Sequence, residues 1–310
     1  MNSPLVQDST PVAGFLNLAK PRGPTSHDVV ARVRRATRIR RVGHAGTLDP
    51  LAEGVLVLAV GRATRLIEYV ASGEKVYRAT IRLGGTTTTD DEEGALTQTR
   101  PITVGLADIE AALLRFTGEI EQRPPMFSAV HVDGRRAYDL ARQGADVELP
   151  VRHVQIASIT VLDWQAPDLT LEVVCGPGTY IRSLARDLGE MLGCGAHLAG
   201  LIRTRSGRFS LDTAASMADL EHCAGRYTLP ALLVSPGDAL THLPSLIVTP
   251  QGCTLLRQGQ PVSSRCHLSS VPAGARANSP VCALDPEGRL IAVAKYDPEQ
   301  DCWRPRKVVG

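Results

Sequence analysis

The spacing of apolar residues divides the chain into short strands, amphipathic helices and polar turns. Residues 14–19 (Gly-Phe-Leu-Asn-Leu-Ala) read as a strand, which Lys20-Pro-Arg-Gly-Pro24 cannot continue because proline fixes φ and lacks a donor. Thr25-Ser26 then offers an N-cap, with Asp28 in the first turn, where the helix dipole favours an anion. Val29, Val30, Val33 and Ala36 follow helical spacing, and arginines occupy much of the remaining circumference. A loop from Arg40 to Pro50 leads into Val55-Leu-Val-Leu-Ala-Val60, an unbroken apolar run that predicts a buried strand. A second short helix is expected from Ala63 to about Ala71.

Lys75 to Leu83 alternates, placing Tyr77, Ala79, Ile81 and Leu83 on one strand face, and Leu169 to Cys175 does the same. After Gly176-Pro-Gly178, Thr179 is a candidate cap for a helix whose core stripe is Ile181, Leu184, Ala185, Leu188 and Leu192. Arg182 and Arg186 fall off that stripe. Residues 118–144 carry Arg123-Pro-Pro125 and Arg135-Arg136 and read as a long excursion from the main sheet, of the kind that carries binding function. Ser235-Pro-Gly-Asp238 marks a boundary. Beyond it, short runs such as Pro280–Leu284 and Leu290–Ala294 between Pro/Gly-rich turns predict a small β-rich module. The expected organisation is a flexible N-terminus (1–13), a main domain (14–238, with an excursion at about 118–150) and a C-terminal module (239–310). Strands mixed with helices, without strict βαβ alternation, predict an α+β fold.

Composition narrows the class. Over 310 residues, 43% hydrophobic and 21% charged content excludes disorder and coiled coil. The longest apolar run is far too short to span a bilayer, and the first residues have neither a basic n-region nor an apolar h-region. A soluble, cytoplasmic protein is expected. Seven widely spread cysteines with no C-x-x-C pair point to reduced thiols, not to a disulfide framework or a paired-cysteine zinc site. The net charge is only +2, yet eight Lys/Arg face a single acid between Gly14 and Arg41, with six arginines within 32–41. A helix that is merely solvated alternates sign; a stripe of one sign attracts phosphates and releases counterions on binding.

Candidate chemistry concentrates in the loop between the basic helix and the buried strand. Asp49 precedes Pro50, which keeps it out of helical geometry on a stiff backbone. Asp-Pro also initiates turns, so spacing alone leaves a structural role open. The wider pattern adds Gly43-His-Ala-Gly-Thr-Leu-Asp-Pro-Leu-Ala-x-Gly-Val-Leu56 and Gly61-x-Ala-Thr-Arg65 to an upstream Lys20-Pro-x-Gly-x-Thr-Ser-His27. Downstream follow Lys75-x-Tyr77, Asp90-Asp-Glu-Glu-Gly94, Arg123-Pro-Pro-x-Phe-Ser-Ala129 and Gly134-x-Arg-Ala-Tyr138. Gly178-Thr-Tyr-Ile-Arg-Ser-Leu-Ala-Arg-Asp187 and Leu201-x-Arg-Thr-x-Ser-Gly207 complete the series. In this order, over residues 14 to 210, the blocks resemble the bacterial tRNA pseudouridine synthase B family, which isomerises uridine 55 in the T-loop of tRNA.

That resemblance implies a pseudouridine synthase fold: a mixed, mostly antiparallel central sheet flanked by helices and loops, with a small β-rich, PUA-like RNA-binding module. It implies that Asp49 is the nucleophile, splitting one hard step into easier ones by attack at C6, attack at C1′ or deprotonation of the sugar. Arg182 is then its cationic partner, Tyr77 the ring that stacks on the flipped base and joins late proton transfer, and Tyr180 and Leu201 the apolar walls. His44 takes the space of the extruded nucleotide, and Lys20 with the arginine-rich helix supplies phosphate contacts. No cofactor or metal is expected. The implied partner is tRNA, through its T-arm, with the chain acting as a monomer without an obligatory protein partner or membrane. Glu53, Arg65, His131 and Ile202 depart from the family's usual residues, and none of them is the nucleophile. Two competing readings are a guide-RNA-dependent enzyme acting on ribosomal RNA and a non-catalytic tRNA-folding or RNA-binding protein.

Overall fold

The computed structural model describes residues 12–128, 131–132, 135–136, 149–222, 229–263, 266 and 279–309. The expected N-terminal tail lies almost wholly outside them. In chain order the first half comprises β1 (Gly14–Lys20), α1 (Ser26–Thr37), β2 (Val42–His44) and β3 (Glu53–Val60). A 3₁₀ turn (Gly61–Leu66) runs into α2 (Ile67–Ala71), followed by β4 (Lys75–Leu83) and a hairpin, β5 (Gly85–Thr87) and β6 (Leu96–Thr99). Then come α3 (Leu106–Leu113), β7 (Gly118–Gln122), a small ladder of β8 (His131–Val132) with β9 (Arg135–Arg136), and the long β10 (Arg152–Gln165). β11 (Asp168–Cys175), α4 (Ile181–Met191), β12 (Ala196–Ser206), β13 (Phe209–Ser210), α5 (Met217–His222) and β14 (Leu233–Val234) complete this unit.

Its sheet runs β14-β1-β3-β12-β4-β11-β10-β7, with β2 added to β3 and β13 to β12. Pairing is antiparallel except between β3 and β12, where Ile202 and Arg203 lie beside Glu53 and Gly54. β7 pairs with β10 through Gly118–Gln122, so the excursion expected from about 118 starts in the main sheet and leaves it only after Gln122. Residues 129–130, 133–134 and 137–148 of that excursion, with Gly134 and Tyr138, lie outside the described residues.

The start of α1 follows its sequence. The Thr25 hydroxyl accepts from the Asp28 N–H (3.1 Å), and the Asp28 carboxylate accepts from the Thr25 N–H (2.8 Å), a reciprocal capping box. Val29, Val30 and Val33 are buried against the sheet. For α4 the cap is not Thr179, whose hydroxyl donates to the Gly176 carbonyl. Tyr180 occupies the cap position, and the Gln122 side-chain amide satisfies its N–H and C=O at 2.8 and 3.0 Å.

The continuous apolar run in β3 has a clear origin, because both faces of this strand are covered. Leu56 and Leu58 join Leu16, Leu18, Ile81 and Leu171 beneath α1, α3 and α4. Val55, Val57 and Ala59 point the other way, into a second cluster with Phe15 and Leu66. That cluster is completed by the C-terminal part of the chain, through Leu240, Cys282, Leu290, Val293 and Val309. Buried on both faces, a strand loses the alternation of a half-exposed one.

The C-terminal part begins with α6 (Pro236–Ala239) and holds β15 (Ser245–Ile247), α7 (Pro250–Arg257), β16 (Val262–Ser263), β17 (Pro280–Leu284), β18 (Leu290–Asp297) and β19 (Cys302–Val308). Its five strands form a separate sheet, ordered β15-β17-β18-β19-β16, around Leu246, Leu256, Ile291 and Trp303. Polar ties reinforce the shared cluster: Arg65 donates to the Val308 carbonyl (3.0 Å), and Lys307 pairs with Glu68 (2.9 Å). Arg65, one of the departures from the family pattern, is thus engaged in a junction. The six cysteines among the described residues are free thiols. No helix among the described residues is long and apolar enough to cross a membrane.

A cluster shared by both sheets couples their stabilities. Leu240→Ala leaves a cavity in it and is expected to cost about 2–5 kcal/mol. Single-tryptophan variants keeping Trp164 in the main sheet or Trp303 in the module are expected to report one common urea midpoint, lowered together by Leu240→Ala. Separate midpoints would show that the module folds independently.

Candidate active site

Between β2 and β3 the chain leaves the sheet for residues 45–52, and its carbonyls lose their ladder partners there. Buried side chains from three distant segments replace them. The Ser26 hydroxyl, at the start of α1, donates to the Leu48 carbonyl (2.9 Å) and accepts from the Leu48 N–H (2.8 Å). The Lys20 ammonium, at the end of β1, donates to the carbonyls of Ala52 (2.6 Å), Pro21 (2.9 Å) and Pro50 (3.4 Å). Arg203, from the middle of β12, donates to Val55 (2.7 Å), Gly46 (3.2 Å) and Thr47 (3.4 Å). Leu48 and Leu51 anchor the loop in the core. Gly54, at φ +96°, lets β12 approach: a Cβ there would meet the Arg203 carbonyl oxygen at 2.3 Å.

This framework leaves one acidic side chain on display. The Asp49 side chain is 36% exposed, and its Oδ2 lies 2.9 Å from the Nε of Arg182, which is 5% exposed. Arg182 sits in the first turn of α4, off the apolar stripe, and is buried nonetheless because the Asp49 loop, Asp91 and the Thr89 and Phe127 carbonyls surround it. Its remaining nitrogens donate to the Thr89 carbonyl (3.2 Å) and the Phe127 carbonyl (2.9 Å), fixing the guanidinium plane. The buried Asp91 carboxylate lies 3.6 Å from the same Nε. Asp91 belongs to the acidic run 90–93, and its part in this network was not legible in the sequence. The neighbouring Arg186 pairs with Asp90 (3.0 Å) and donates to the Arg123 carbonyl.

Tyr77 and Leu201, on adjacent β4 and β12, are buried, and Tyr180 is half-buried at the head of α4. Burial pushes both phenols up from their ordinary values, and the Asp49 charge adds to this in each case. Arg182 pairs with Asp49, and Tyr77 and Tyr180 both feel its charge. His44 stands edge-on to His27, with ring centroids 5.3 Å apart, and its buried Nδ1 has no hydrogen-bond partner. Burial first, then the charges of His27 and Arg203, hold the His44 imidazole below its ordinary pKa, which favours the neutral ring.

The structure corrects one expectation. Lys20 was read as a phosphate contact, but it is buried and its ammonium is committed to three carbonyls. Glu53 accepts from the Arg22 N–H (3.3 Å), and the Arg22 guanidinium pairs with Glu92 at the cleft's rim. Ile202 is half-buried beside Glu53. Of His131 only the backbone, in β8, is described. Among the described residues no three His, Cys, Asp or Glu side chains are grouped to hold a metal ion.

Comparison with known proteins identifies the family. Residues 34–181 match the family model described as TruB family pseudouridylate synthase (N terminal domain), and residues 182–235 match the tRNA pseudouridylate synthase B C-terminal domain. A tRNA pseudouridine synthase B from Gloeobacter violaceus is 48% identical over 91% of this chain and 94% of its own length. Another, from Heliobacterium mobile, is 42% identical over 97% and 96%. The chain belongs to the TruB family of pseudouridylate synthases. Among solved structures, a Cbf5-Nop10-Gar1 complex matches with a TM-score of 0.76 at 28% identity, covering 96% of this chain and 85% of that one. An archaeal box H/ACA sRNP Nop10-Cbf5 complex matches with a TM-score of 0.74 at 26% identity, covering 96% and 86%. In this family member the two model segments meet at the start of α4, and one sheet takes strands from both.

Lys20 gives the site a pH signature. Burial lowers its pKa from 10.5 to about 8, although Asp49 and Glu53 oppose the shift. Between these values the unfolded chain binds more protons at this group than the folded one, so the cost of burying the ammonium is relieved as pH rises. Lys20→Met removes that titration. The stability of wild type relative to the variant is therefore expected to increase from pH 7.5 to 9.5, measured by urea unfolding. A constant difference would place the ammonium in solvent.

Proposed function

We propose that this chain isomerises a uridine of transfer RNA to pseudouridine, at position 55 of the T-loop, with Asp49 as nucleophile. The observation that carries the reading is the half-exposed Asp49 carboxylate held 2.9 Å from a buried guanidinium, on a loop otherwise fixed by buried donors. The reaction detaches uracil from C1′, turns it and rejoins it through C5, with no net gain or loss of atoms. All three routes, attack at C6, attack at C1′ or deprotonation of the sugar, begin at this carboxylate. Arg182 orients it by charge, and the loop prevents it from folding back into the core.

The reacting atoms are inaccessible inside a folded T-loop, so the nucleotide must be everted. In this reading Tyr77 stacks on the base and accepts a proton late in the reaction, with Tyr180 and Leu201 as the apolar walls. Stacking of this sort is worth about 1–3 kcal/mol per base. A neutral His44 suits a residue that fills the space of the extruded nucleotide, not one that carries protons.

Phosphate contacts fall to one side of α1. An open groove of about 410 Å³ is lined by Gly23, Pro24, Asp28, Ala31, Arg32 and Arg35. The Gly23 N–H donates to the Pro50 carbonyl (2.9 Å), so this groove continues from the rim of the Asp49 loop. Arg34, by contrast, donates to the Val42 carbonyl and serves the fold. The catalytic unit spans residues 14–238, and residues 239–310 form a PUA-like appendage that extends the RNA surface. The enzyme acts as a monomer, without a protein partner, in the cytoplasm, where transfer RNA resides. A guide-RNA-dependent reading is less favoured, because relatives that match nearly the whole chain at 42–48% identity carry the tRNA name.

Two experiments follow. Asp49→Asn is expected to abolish pseudouridine formation in an unmodified tRNA transcript incubated with the purified chain alone, while tRNA affinity stays within several-fold. Turnover by that variant would remove Asp49 from its role, and a wild-type chain inactive without added proteins would favour the guide-dependent reading. Arg32→Ala and Arg35→Ala are each expected to weaken tRNA binding and to reduce the slope of log affinity against log salt by about one. Arg34→Ala is expected to leave that slope in place. Equal effects at all three positions would contradict the groove assignment.

A further inference from the structure

Three buried cations, Lys20, Lys75 and Arg203, lie around the base of the Asp49 loop. The Lys75 ammonium donates to the Ala71 and Gly73 carbonyls (both 2.9 Å), within the turn that joins α2 to β4. Arg203 is placed differently. It is 1% exposed, and no carboxylate pairs with it among the described residues. Its three nitrogens donate to carbonyls at both ends of the loop, Gly46 and Thr47 before Asp49 and Val55 after it. Directly across the β12–β4 ladder its partner is Tyr77, and the guanidinium charge opposes the upward push that burial gives the phenol. Cross-strand partners share a sheet face, so this pairing follows from register and not from a flexible reach.

We propose that Arg203 is a positioning residue of the isomerisation: one guanidinium fixes the Asp49 loop and brings its charge to the Tyr77 phenol. The proposal rests on the roles given above to Asp49 and Tyr77. Once C1′ has been transferred from N1 to C5, C5 carries both the ribose and its original hydrogen. The C5–H bond then breaks, its electron pair restores the C5=C6 double bond, and the phenolate oxygen of Tyr77 takes the proton. N1 gains a proton from solvent, and the phenol returns its own to solvent, so the isomerisation balances without an oxidant.

A phenol can accept that proton only when ionised, and most of its surroundings oppose ionisation. Burial acts first, and Cys175 on β11 and Asp49 on the loop add to it. Arg203 on β12 acts in the opposite sense. Lys75, at the start of β4, Lys20, at the end of β1, and His44, on β2, are titratable groups that feel the Arg203 charge on this side of the site.

The test compares R203Q, which keeps size and loses charge, with R203K, which keeps charge and loses the fork. For R203Q, tRNA affinity is expected within about threefold of wild type, with a single-turnover rate about 10- to 100-fold lower. Its rising pH limb is expected to move upward by about one unit. R203K is expected to keep the limb in place with a smaller loss, below about tenfold. A wild-type rate for R203Q, or a slow rate with an unmoved limb, would overturn the proposal. If R203Q does not fold, R203K decides: one ammonium cannot serve three carbonyls and a phenol, so a wild-type rate there overturns it as well. Y77F separates the layers. A fully active Y77F removes the role of Tyr77 itself, whereas an inactive Y77F beside a normal R203Q removes only that of Arg203.

Discussion

The loop that presents Asp49 has to leave the sheet, and a chain that leaves a sheet in the interior carries unpaired carbonyls. Each such group left without a donor costs about 1–3 kcal/mol. Here the donors are a hydroxyl and two buried cations: Ser26, Lys20 and Arg203. Charged donors make the stronger hydrogen bonds, and their burial is tolerable because the carbonyl dipoles surround them. The result is a loop with little freedom in its backbone and one carboxylate left for chemistry. Preorganisation of this kind is what a nucleophile needs, since reorganisation during the reaction would raise the barrier.

Those donors come from segments about 180 residues apart in the chain, so the loop's geometry is a consequence of strand order. The parallel contact of β3 with β12 puts Arg203 beside Gly54, and the antiparallel contact of β12 with β4 puts the same residue opposite Tyr77. β11 then leads through a Gly-Pro-Gly turn into α4, whose first turn carries Arg182 onto Asp49. The C-terminal module matters to this arrangement from the other side. It covers the face of β3 formed by Val55, Val57 and Ala59, and so supports the strand into which the loop returns.

Much of the local structure was written plainly in the sequence. The β1, β3, β4 and β11 strands and the α1 helix follow from apolar spacing, and the Thr25 cap from its Asp28 partner. The side of the chain that failed to read was electrostatic. Lys20 looks like a surface lysine beside two prolines, yet it is enclosed because the loop arches over it. Arg182 looks like the solvent face of an amphipathic helix, and only the Asp49 loop and the acidic run packed beside α4 make that face interior. Asp91 is one of four consecutive acids, and nothing in that run marks which carboxylate turns inward to Arg182. A tyrosine at the cap of α4 gives no sign that a glutamine 58 residues upstream will satisfy its backbone.

By itself, the sequence determined the elements, the basic stripe and the identity of the residues able to do chemistry, because these depend on side-chain type and on periodicity within a few turns. Only the tertiary structure decided which cations stay at the surface and which are enclosed, which carboxylate stays exposed, and which tyrosine lies across the ladder from the arginine that holds the loop. Charge is indifferent to sequence distance: its effect is set by burial and by neighbours a few ångströms away, and strand order alone brings those neighbours together.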